Sequence, residues 1–479
     1  MSNLNLKSLL TEKKKIVFFL SGIGGIGISA IAEILHSKGF DVIGSDLNSN
    51  SNTIRLGQKA IKVYSQQKAS NISENNIDFV VKSSAVKDDN PEIIEARKQN
   101  VQVLTRANIL SAILELNKSV IISGTHGKTT TTSLIGHIAA NSMINASVIS
   151  GGIMNNYSSN VVINDSEWIV AEADESDGCF KELSSRVSVI TNIEPEHMDY
   201  FQTEANLKDC FLEYINNVPN DGANVICFDD PICRELIENS KANNIISYGF
   251  SEKADVYACD VKQSDTFATF KVVSNVDKIF IDQGFQFNLP MIGQFNVLNA
   301  LASIIVCKTL GIDNETIQKE MLSFKGINRR FTYVGKAREI KVYDDYAHHP
   351  TEINATLSAV QHSKSLAKAK VIAVFQPHRY SRVKDHYNGF IKALNIADKI
   401  LVTDIFSAGE KPILGISKEK LCEDINNKGV LKCQSVGKID NLAEYVKANA
   451  DDGDLVICLG AGDITKYANL LPKQLAKIL

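Results

Sequence analysis

The chain has 479 residues, so we expect about three domains rather than one hydrophobic core. A hydrophobic fraction of 44% is typical of a globular protein, and a net charge of −4 gives no reason to expect nucleic acid or an acidic membrane as a partner. No apolar run approaches the length of a membrane span, no signal-peptide core follows Met1, and the nine scattered cysteines indicate reduced thiols. These features predict a soluble, cytoplasmic protein without membrane insertion.

The first segment carries a glycine-rich turn between a predicted strand at 16–20 and a helix that ends near residue 37. An acidic residue follows the turn about 20 positions later, which is the spacing of a dinucleotide fingerprint. Such a turn suits NAD or any other nucleoside diphosphate, and a structural glycine turn remains an alternative. The candidate binding residues are Gly22, Gly24, Gly25, Gly27 and Asp46, with Ser83 and Ser84 after the strand at 78–82.

The second segment begins with an apolar strand at 120–123 that leads into the sequence GTHGKTTT. A strand, a glycine turn and a helix that starts with lysine and hydroxyl residues form a phosphate-binding loop. The turn is shorter than a standard P-loop, because Ile122 stands where the first glycine is expected. We predict that Lys128 reaches the β/γ-phosphates and that Thr129 coordinates Mg²⁺. The loop residues assigned to ATP are Gly124, Thr125, His126, Gly127, Lys128, Thr129 and Thr130.

Two further strands of this segment end in acidic clusters. The strand at 168–171 runs into EADESD at 172–177, where Glu172 is a candidate Mg²⁺ ligand. The strand at 187–191 runs into NIEPEHMD, where His197 is a candidate second ligand or an ordinary hydrogen-bonded histidine. Alternating residues between 244 and 290 predict β-hairpins at the edge of the domain, and an apolar helix follows to residue 310.

The third segment again alternates strands and helices, which predicts a second doubly wound, nucleotide-like fold. Its predicted strands include 371–375, 399–403 and 454–459.

Together these motifs resemble the Mur ligase family. The resemblance covers nearly the whole chain and includes GIGGIG, GTHGKTTT, EADESD, TNIEPEHMD, NVLNA at 296–300, DDYAHHPTE at 344–352, FQPHRY at 375–380 and GAGD at 460–463. It implies an α/β protein of three domains: a Rossmann-like UDP-sugar domain at 1–116, a central P-loop ATPase-like domain at 117–325 and a Rossmann-like amino-acid domain at 326–479.

Within the family, the motifs are most similar to members that join L-alanine to UDP-N-acetylmuramate in peptidoglycan precursor synthesis. That resemblance implies ATP and Mg²⁺ as cofactors, an acyl-phosphate intermediate, and a UDP diphosphate rather than NAD at the first glycine loop. It assigns Mg²⁺ to Thr129 and Glu172, and a second Mg²⁺ to His197. Asn296 and Asn299 match the adenine-contacting region.

The resemblance also gives roles to four residues of the third segment. Arg330 matches an arginine that faces ATP, and a plain surface arginine is the alternative. Asp345, His348 and Arg379 match the neighbourhood that receives the amino acid and stabilises the developing oxyanion.

Two other functions stay open at this point: a recycling ligase that adds a tripeptide to the same UDP-sugar, and a non-catalytic nucleotide-sensing protein. The acidic and histidine clusters favour the alanine ligase over both. The sequence leaves open the oligomeric state and the preference among L-alanine, glycine and L-serine.

Overall fold

A computed structural model describes residues 6–11, 15–175, 178–264, 266–282, 284–361, 369–427 and 432–479. Ser176 and Asp177 of the EADESD motif lie outside the described residues. The chain forms two compact units. The first unit consists of Met1–Cys259, Lys271–Phe285 and Leu298–Lys325, and the second of Asp260–Phe270, Gln286–Val297 and Gly326–Leu479.

The first unit begins with a parallel five-stranded sheet in the order β3-β2-β1-β4-β5. Its strands are β1 Val17–Ser21, β2 Asp41–Ser45, β3 Lys62–Tyr64, β4 Phe79–Lys82 and β5 Gln102–Thr105, and its helices are α1 Leu6–Thr11, α2 Ile26–Ser37, α3 Ser51–Gln58, α4 Ser70–Ser73, α5 Pro91–Lys98 and α6 Arg106–Glu115. Phe18 and Phe19 of β1 belong to different core clusters, so both faces of the sheet are covered. The strand order reverses beside β1, where such folds bind ligands.

The first unit also contains most of a larger sheet, in the order β13-β12-β11-β10-β6-β9-β7-β8. Its strands are β6 Lys118–Ser123, β7 Ser147–Met154, β8 Ser159–Val162, β9 Trp168–Glu172, β10 Val187–Ile190, β11 Ala223–Cys227, β12 Ile245–Gly249 and β13 Val256–Gln263. The associated helices are α7 Lys128–Ala140, α8 Met198–Phe201, α9 Glu204–Asn216, α10 Pro231–Asn239, α11 Gln294–Thr309 and α12 Asn314–Ser323. Residues 294–297, at the start of α11, belong to the second unit. Only β8 runs antiparallel to its neighbour among the pairs of β6 to β12.

The hairpin prediction for residues 244–290 is wrong at its beginning. Strand β12 pairs in parallel with β11, and β13 pairs in parallel with β12. Helix α10 connects β11 to β12, and a helical crossover returns the chain in the same direction. Strands β14 Ala268–Ser274 and β15 Gln286–Leu289 follow at the predicted positions.

The second unit contains a six-stranded sheet in the order β16-β17-β21-β18-β19-β20, with only β16 antiparallel. Its strands are β16 Thr332–Ala337, β17 Ile340–Asp345, β18 Val371–Phe375, β19 Lys399–Val402, β20 Cys433–Ser435 and β21 Leu455–Leu459, and its helices are α13 Pro350–Gln361, α14 Tyr380–Asp385, α15 Tyr387–Leu394, α16 Lys418–Asn426, α17 Leu442–Asn449 and α18 Ile464–Ile478. Successive residues of β18 alternate between two core clusters, as a doubly wound fold requires.

Side chains fix where several helices begin. Asn50 caps α3, and Asn90 caps α5 just before a proline at the first helical position. Thr203 and Asp230 cap α9 and α10 in the same way. Helix α7 differs, because Gly127 at its N-cap offers no side chain and leaves the first N–H groups free of a side-chain cap.

A buried polar junction, made of Ile26, Glu33, Arg55 and Asn160, joins the two sheets of the first unit. Arg55 donates to Glu33 Oε1 at 2.7 Å and to Asn160 Oδ1 at 2.7 Å. Asn160 donates in turn to the carbonyl of Ile26 at the start of α2. Asn160 is fully buried and Glu33 nearly so, so these contacts are shielded from water.

The described helices include none with the length and apolar character that a bilayer span requires. The eight cysteines whose side chains are described are free thiols, in agreement with the sequence.

Candidate functional site

Three strand ends of the first unit meet at the predicted phosphate loop. Strand β6 leads into the loop and pairs with β9 on one side and β10 on the other. The acidic cluster after β9 and the asparagine–histidine cluster after β10 therefore flank the loop, although both are distant in sequence. The carboxyl edge of a parallel sheet is where α/β folds bind ligands.

The two glycines of the loop are required by their surroundings. Gly124 has φ +115°, and a Cβ there would lie 2.4 Å from Thr191 Oγ1. Gly127 has φ +85°, and a Cβ there would lie 2.6 Å from Asn299 Oδ1. Only glycine allows the loop backbone to lie this close to Thr191 and Asn299. The backbone N–H groups of the loop then line the start of α7, and the N-terminus of a helix is a common site for phosphate oxygens.

Residues after β10 hold the loop in shape. Thr191 Oγ1 donates to the carbonyl of His126 at 2.6 Å, and Asn192 bonds both the N–H and the carbonyl of His126 at 2.9 Å. Thr125 Oγ1 accepts from the Glu194 N–H at 2.8 Å. Thr191 and Asn192 received no role from the sequence. Their position at the end of the strand next to β6 is the signal that could have indicated one.

Lys128 folds back over its own loop. Its Nζ donates to Glu175 Oε1 at 2.6 Å, to the Thr125 carbonyl at 3.1 Å and to the Gly124 carbonyl. Burial alone lowers the pKa of Lys128, but the charges of Glu175 and Glu172 outweigh burial and raise it. The lysine is therefore a firmly charged group at the start of α7. Glu175 was within a quoted motif but was not among the predicted site residues.

Thr129 and Glu172 lie together, as the sequence predicts for a metal pair. The Thr129 hydroxyl donates to Glu172 Oε1 at 3.0 Å, and Glu172 Oε2 accepts from the Gly151 N–H at 2.8 Å. A hydroxyl and a carboxylate at the edge of a phosphate loop are the oxygen ligands that Mg²⁺ takes, with the phosphates and water as the others. The residues present fit the ion.

His197 occupies the left-handed region, with φ +56°, at the N-cap of α8. Its Nε2 lies 4.0 Å from Glu196 Oε2, and its side chain is 30% exposed. Burial raises the pKa of the Glu175 carboxyl, and the proximity of His197 acts weakly in the opposite direction. His197 thus lies near the pair of Lys128 and Glu175, and its role as a metal ligand stays a prediction.

The two predicted adenine-contacting residues belong to different compact units. Asn299 of the first unit accepts from Thr131 Oγ1 at 3.2 Å, beside Gly127. Asn296 of the second unit donates to the carbonyl of Ile292 at 2.7 Å. Thr130 is buried within α7.

The first glycine loop is held by the acidic residue that the fingerprint predicted. Asp46 Oδ2 accepts from the Gly24 N–H at 2.9 Å, and Oδ1 accepts from the Asn48 N–H at 2.9 Å. The carboxylate therefore stabilises the loop, and contact with a ribose stays a prediction. Gly22 has φ +77° and lies against Ser83, while Ser84 is exposed one residue farther on.

Sequence reasoning missed Arg106 beside this loop. A Cβ on Gly27 would lie 3.0 Å from its guanidinium, and the Gly25 N–H closes the same turn by donating to the Gly22 carbonyl. Arg106 also pairs with Asp174 at 2.8 Å. An arginine at this position suits a diphosphate, since the guanidinium donates in a planar fork.

In the second unit, Asp345 lies at the end of β17 and is buried. Its carboxylate accepts from the N–H groups of Phe331 and Ala347 at 2.9 and 2.7 Å. Burial raises its pKa to about 6. These bonds make Asp345 a support for the surrounding backbone, which the sequence did not indicate.

Two histidines of the second unit lie with their ring centroids 5.9 Å apart. Burial lowers the pKa of His348, and it lowers that of His378 to about 4. Both imidazoles are therefore neutral near pH 7, and each offers a ring nitrogen that can accept a hydrogen bond. Arg379 follows His378 with φ +66°, a strained conformation for a residue with a side chain.

Arg330 lies beside Tyr346, with its guanidinium carbon 5.4 Å from the ring centroid. A guanidinium nitrogen of Arg330 also lies 3.8 Å from Glu352 Oε1. The neighbouring Arg329 is the arginine that contacts the GAGD segment, through the carbonyls of Gly460 and Gly462. Sequence reasoning singled out Arg330 alone and gave Arg329 no role.

Three family models match successive parts of the chain, and each part corresponds to one of the three sheets. Residues 20–118 match the model "Mur ligase family, catalytic domain". Residues 122–307 match "Mur ligase middle domain", and residues 329–462 match "Mur ligase, glutamate ligase domain". A UDP-N-acetylmuramate–L-alanine ligase of Parvibaculum lavamentivorans is 42% identical over 458 residues, which cover 95% of this chain and 92% of that protein. The chain belongs to the Mur ligase family.

Solved structures agree with this Mur ligase fold. The UDP-N-acetylmuramate–alanine ligase of Thermotoga maritima has a TM-score of 0.82 and 27% identity, covering 97% of this chain and all of that one. A murein peptide ligase of Psychrobacter arcticus has a TM-score of 0.72 and 21% identity, covering 97% of this chain and 99% of that one. The α/β fold and the resemblance to Mur ligases predicted from the motifs are confirmed.

Proposed function

We propose that this Mur ligase joins L-alanine to the carboxylate of UDP-N-acetylmuramate, with hydrolysis of ATP to ADP and phosphate, in the synthesis of peptidoglycan precursors. The observation that carries the proposal is the arrangement of Lys128, Thr129 and Glu172 at the start of α7. The relative from Parvibaculum lavamentivorans, which is named UDP-N-acetylmuramate–L-alanine ligase, aligns over nearly the whole chain. We further propose domains at 1–116 for the UDP-sugar, 117–325 for ATP and 326–479 for the amino acid.

A carboxylate is a poor acyl donor, and transfer of the γ-phosphoryl group of ATP makes it a reactive acyl phosphate. Lys128 and the N–H groups of the loop would bind the β- and γ-phosphates, as phosphoryl transfer depends on positioning and charge neutralisation. Thr129 and Glu172 would hold one Mg²⁺ and His197 a second, and the two cations would reduce the repulsion between the two anions. Asn296 and Asn299 would bind the adenine.

The UDP diphosphate would bind at the loop of Gly22–Gly27, where the glycines allow close approach. In the second unit, His348 is neutral and partly buried, so its unprotonated ring nitrogen can accept a hydrogen bond from the L-alanine amine and orient it. Arg379 would stabilise the oxyanion of the tetrahedral intermediate, and Arg330 would face ATP. Asp345 would act by holding the backbone next to His348.

The test measures phosphate release with ATP, Mg²⁺ and UDP-N-acetylmuramate, while the amine is varied among L-alanine, glycine, L-serine and the tripeptide of the recycling pathway. We expect release that requires both the UDP-sugar and L-alanine. Release with the tripeptide but not with L-alanine would assign the recycling reaction. No sugar-dependent release with any amine would favour the nucleotide-sensing protein.

A further inference from the structure

The pair between Lys128 and Glu175 is the least expected contact of the phosphate loop. The two side chains are 15% and 7% exposed, with 2.6 Å between Nζ and Oε1. Glu175 Oε2 is buried and has no hydrogen-bond partner in the part of the chain that the structure describes. Lys128 thus donates the side-chain hydrogen bond that holds this carboxylate.

The same lysine cannot serve a phosphate and keep this arrangement. Its three N–H bonds go to Glu175, Gly124 and Thr125, which are an anion and two loop carbonyls. An ammonium group has three donors and no more. A polyphosphate that binds the loop must therefore take Lys128 away from at least one of these partners.

Glu175 is the partner whose loss changes the charge balance. Displacement from Lys128 leaves a buried carboxylate without its cation, next to an incoming anion. Only the molecules in which Lys128 has left Glu175 can bind nucleotide with full affinity. The apparent affinity is therefore the intrinsic affinity multiplied by the fraction of such molecules. The two carbonyls carry no net charge, and their loss costs less.

We propose that Glu175 is a positioning residue that holds Lys128 folded over the loop until a nucleoside polyphosphate displaces it. The inference rests on the proposed nucleotide site at this loop. Glu175 keeps the lysine ordered in the unliganded protein and weakens nucleotide binding, which also favours release of ADP after turnover.

The test compares the binding of ADP with Mg²⁺ by isothermal titration calorimetry to the wild-type chain, Glu175→Gln, Asp174→Asn and Lys128→Ala. Glutamine keeps the size of the side chain and removes its charge, so we expect E175Q to bind ADP about tenfold more tightly. Asp174 is half exposed and pairs with Arg106, so D174N is the matched control and should change the affinity less than about threefold. Unliganded E175Q should also unfold at a lower temperature.

A gain in affinity together with a loss of unliganded stability is not expected of a merely structural residue, because structural damage weakens binding. Equal or weaker ADP binding by a folded E175Q, with Lys128→Ala strongly impaired, would overturn the inference and leave the nucleotide site intact. Wild-type binding in Lys128→Ala would instead refute the nucleotide site itself. If E175Q does not fold, Glu175→Asp replaces it, because the shorter side chain weakens the contact with Lys128. This variant should bind ADP more tightly than the wild-type chain, by less than E175Q would. Wild-type or weaker ADP affinity in Glu175→Asp would then overturn the inference.

Discussion

Removal of the Lys128 ammonium should affect folding and turnover through two separable causes. In the unliganded protein, Lys128→Ala leaves the 7% exposed Glu175 carboxylate without its cation. Breaking a buried pair in this way costs about 3–5 kcal/mol. For a domain of roughly 200 residues, this lowers the unfolding temperature by about 10 °C. Turnover should fall by about a hundredfold or more, since the charge on the transferred phosphoryl group loses its donor.

The double variant Lys128→Ala with Glu175→Ala separates the two causes. Without the carboxylate, no unpaired charge remains, so most of the lost stability should return, while turnover stays lost. Thermal unfolding without ligands and phosphate release with saturating substrates measure the two effects. Lys118→Ala is the matched control, because its pair with Glu167 is half exposed and should contribute less than about 1 kcal/mol.

Two results would refute this reasoning. Wild-type stability of Lys128→Ala would mean that the pair with Glu175 is not buried as described. Recovery of phosphate release in the double variant would mean that Lys128 does not bind the phosphates.

Three further changes test the neighbouring features. Gly124→Ala should lower stability by about 2 kcal/mol and abolish phosphate release, because a Cβ there would lie 2.4 Å from Thr191 Oγ1. The control Gly57→Ala lies in helix α3 and has no neighbour within 4 Å, so it should raise stability in urea unfolding by about 0.5–1 kcal/mol. Glu172→Gln should raise the Mg²⁺ concentration for half-maximal phosphate release about tenfold or more, and an unchanged requirement would exclude Glu172 as a ligand. Burial raises the pKa of Asp345 from 3.8 to about 6, so the folded state holds this proton more tightly and stability falls as pH rises through that window. Relative to Asp345→Asn, the wild-type free energy of unfolding should fall by about 2 kcal/mol between pH 4 and 7, and parallel pH profiles would contradict the shift.

The sequence predicted what depends on local order. Strand, glycine turn and helix follow one another between residues 118 and 140, and their periodicity and turn residues mark each boundary. The fold of each sheet was also predictable, because regular alternation of strands and helices leaves few topologies. The hairpin prediction failed at its beginning, after residue 244. Short alternating strands have the same sequence pattern whether they pair in parallel or antiparallel with their neighbours.

The missed residues act through contacts between distant segments. EADESD contains three carboxylates in its first four residues, and nothing in the order of letters tells which one contacts Lys128. The structure decides it, since Glu172 faces Thr129 and Glu175 faces the lysine. The choice between Arg329 and Arg330 has the same cause, because adjacent residues point in different directions only once the turn has formed.

The junction of Ile26, Glu33, Arg55 and Asn160 has a consequence for building chimeric enzymes. Two of its three side chains come from residues before 117 and one from residues after, and each would become a buried polar group without a partner if its counterpart changed. An N-terminal segment transplanted from another Mur ligase onto residues 117–479 should therefore fold well only when it brings the matching arginine and glutamate, because Asn160 stays with the acceptor chain. Matching the apolar interface alone would leave the buried Asn160 Oδ1 without its donor and would destabilise the graft.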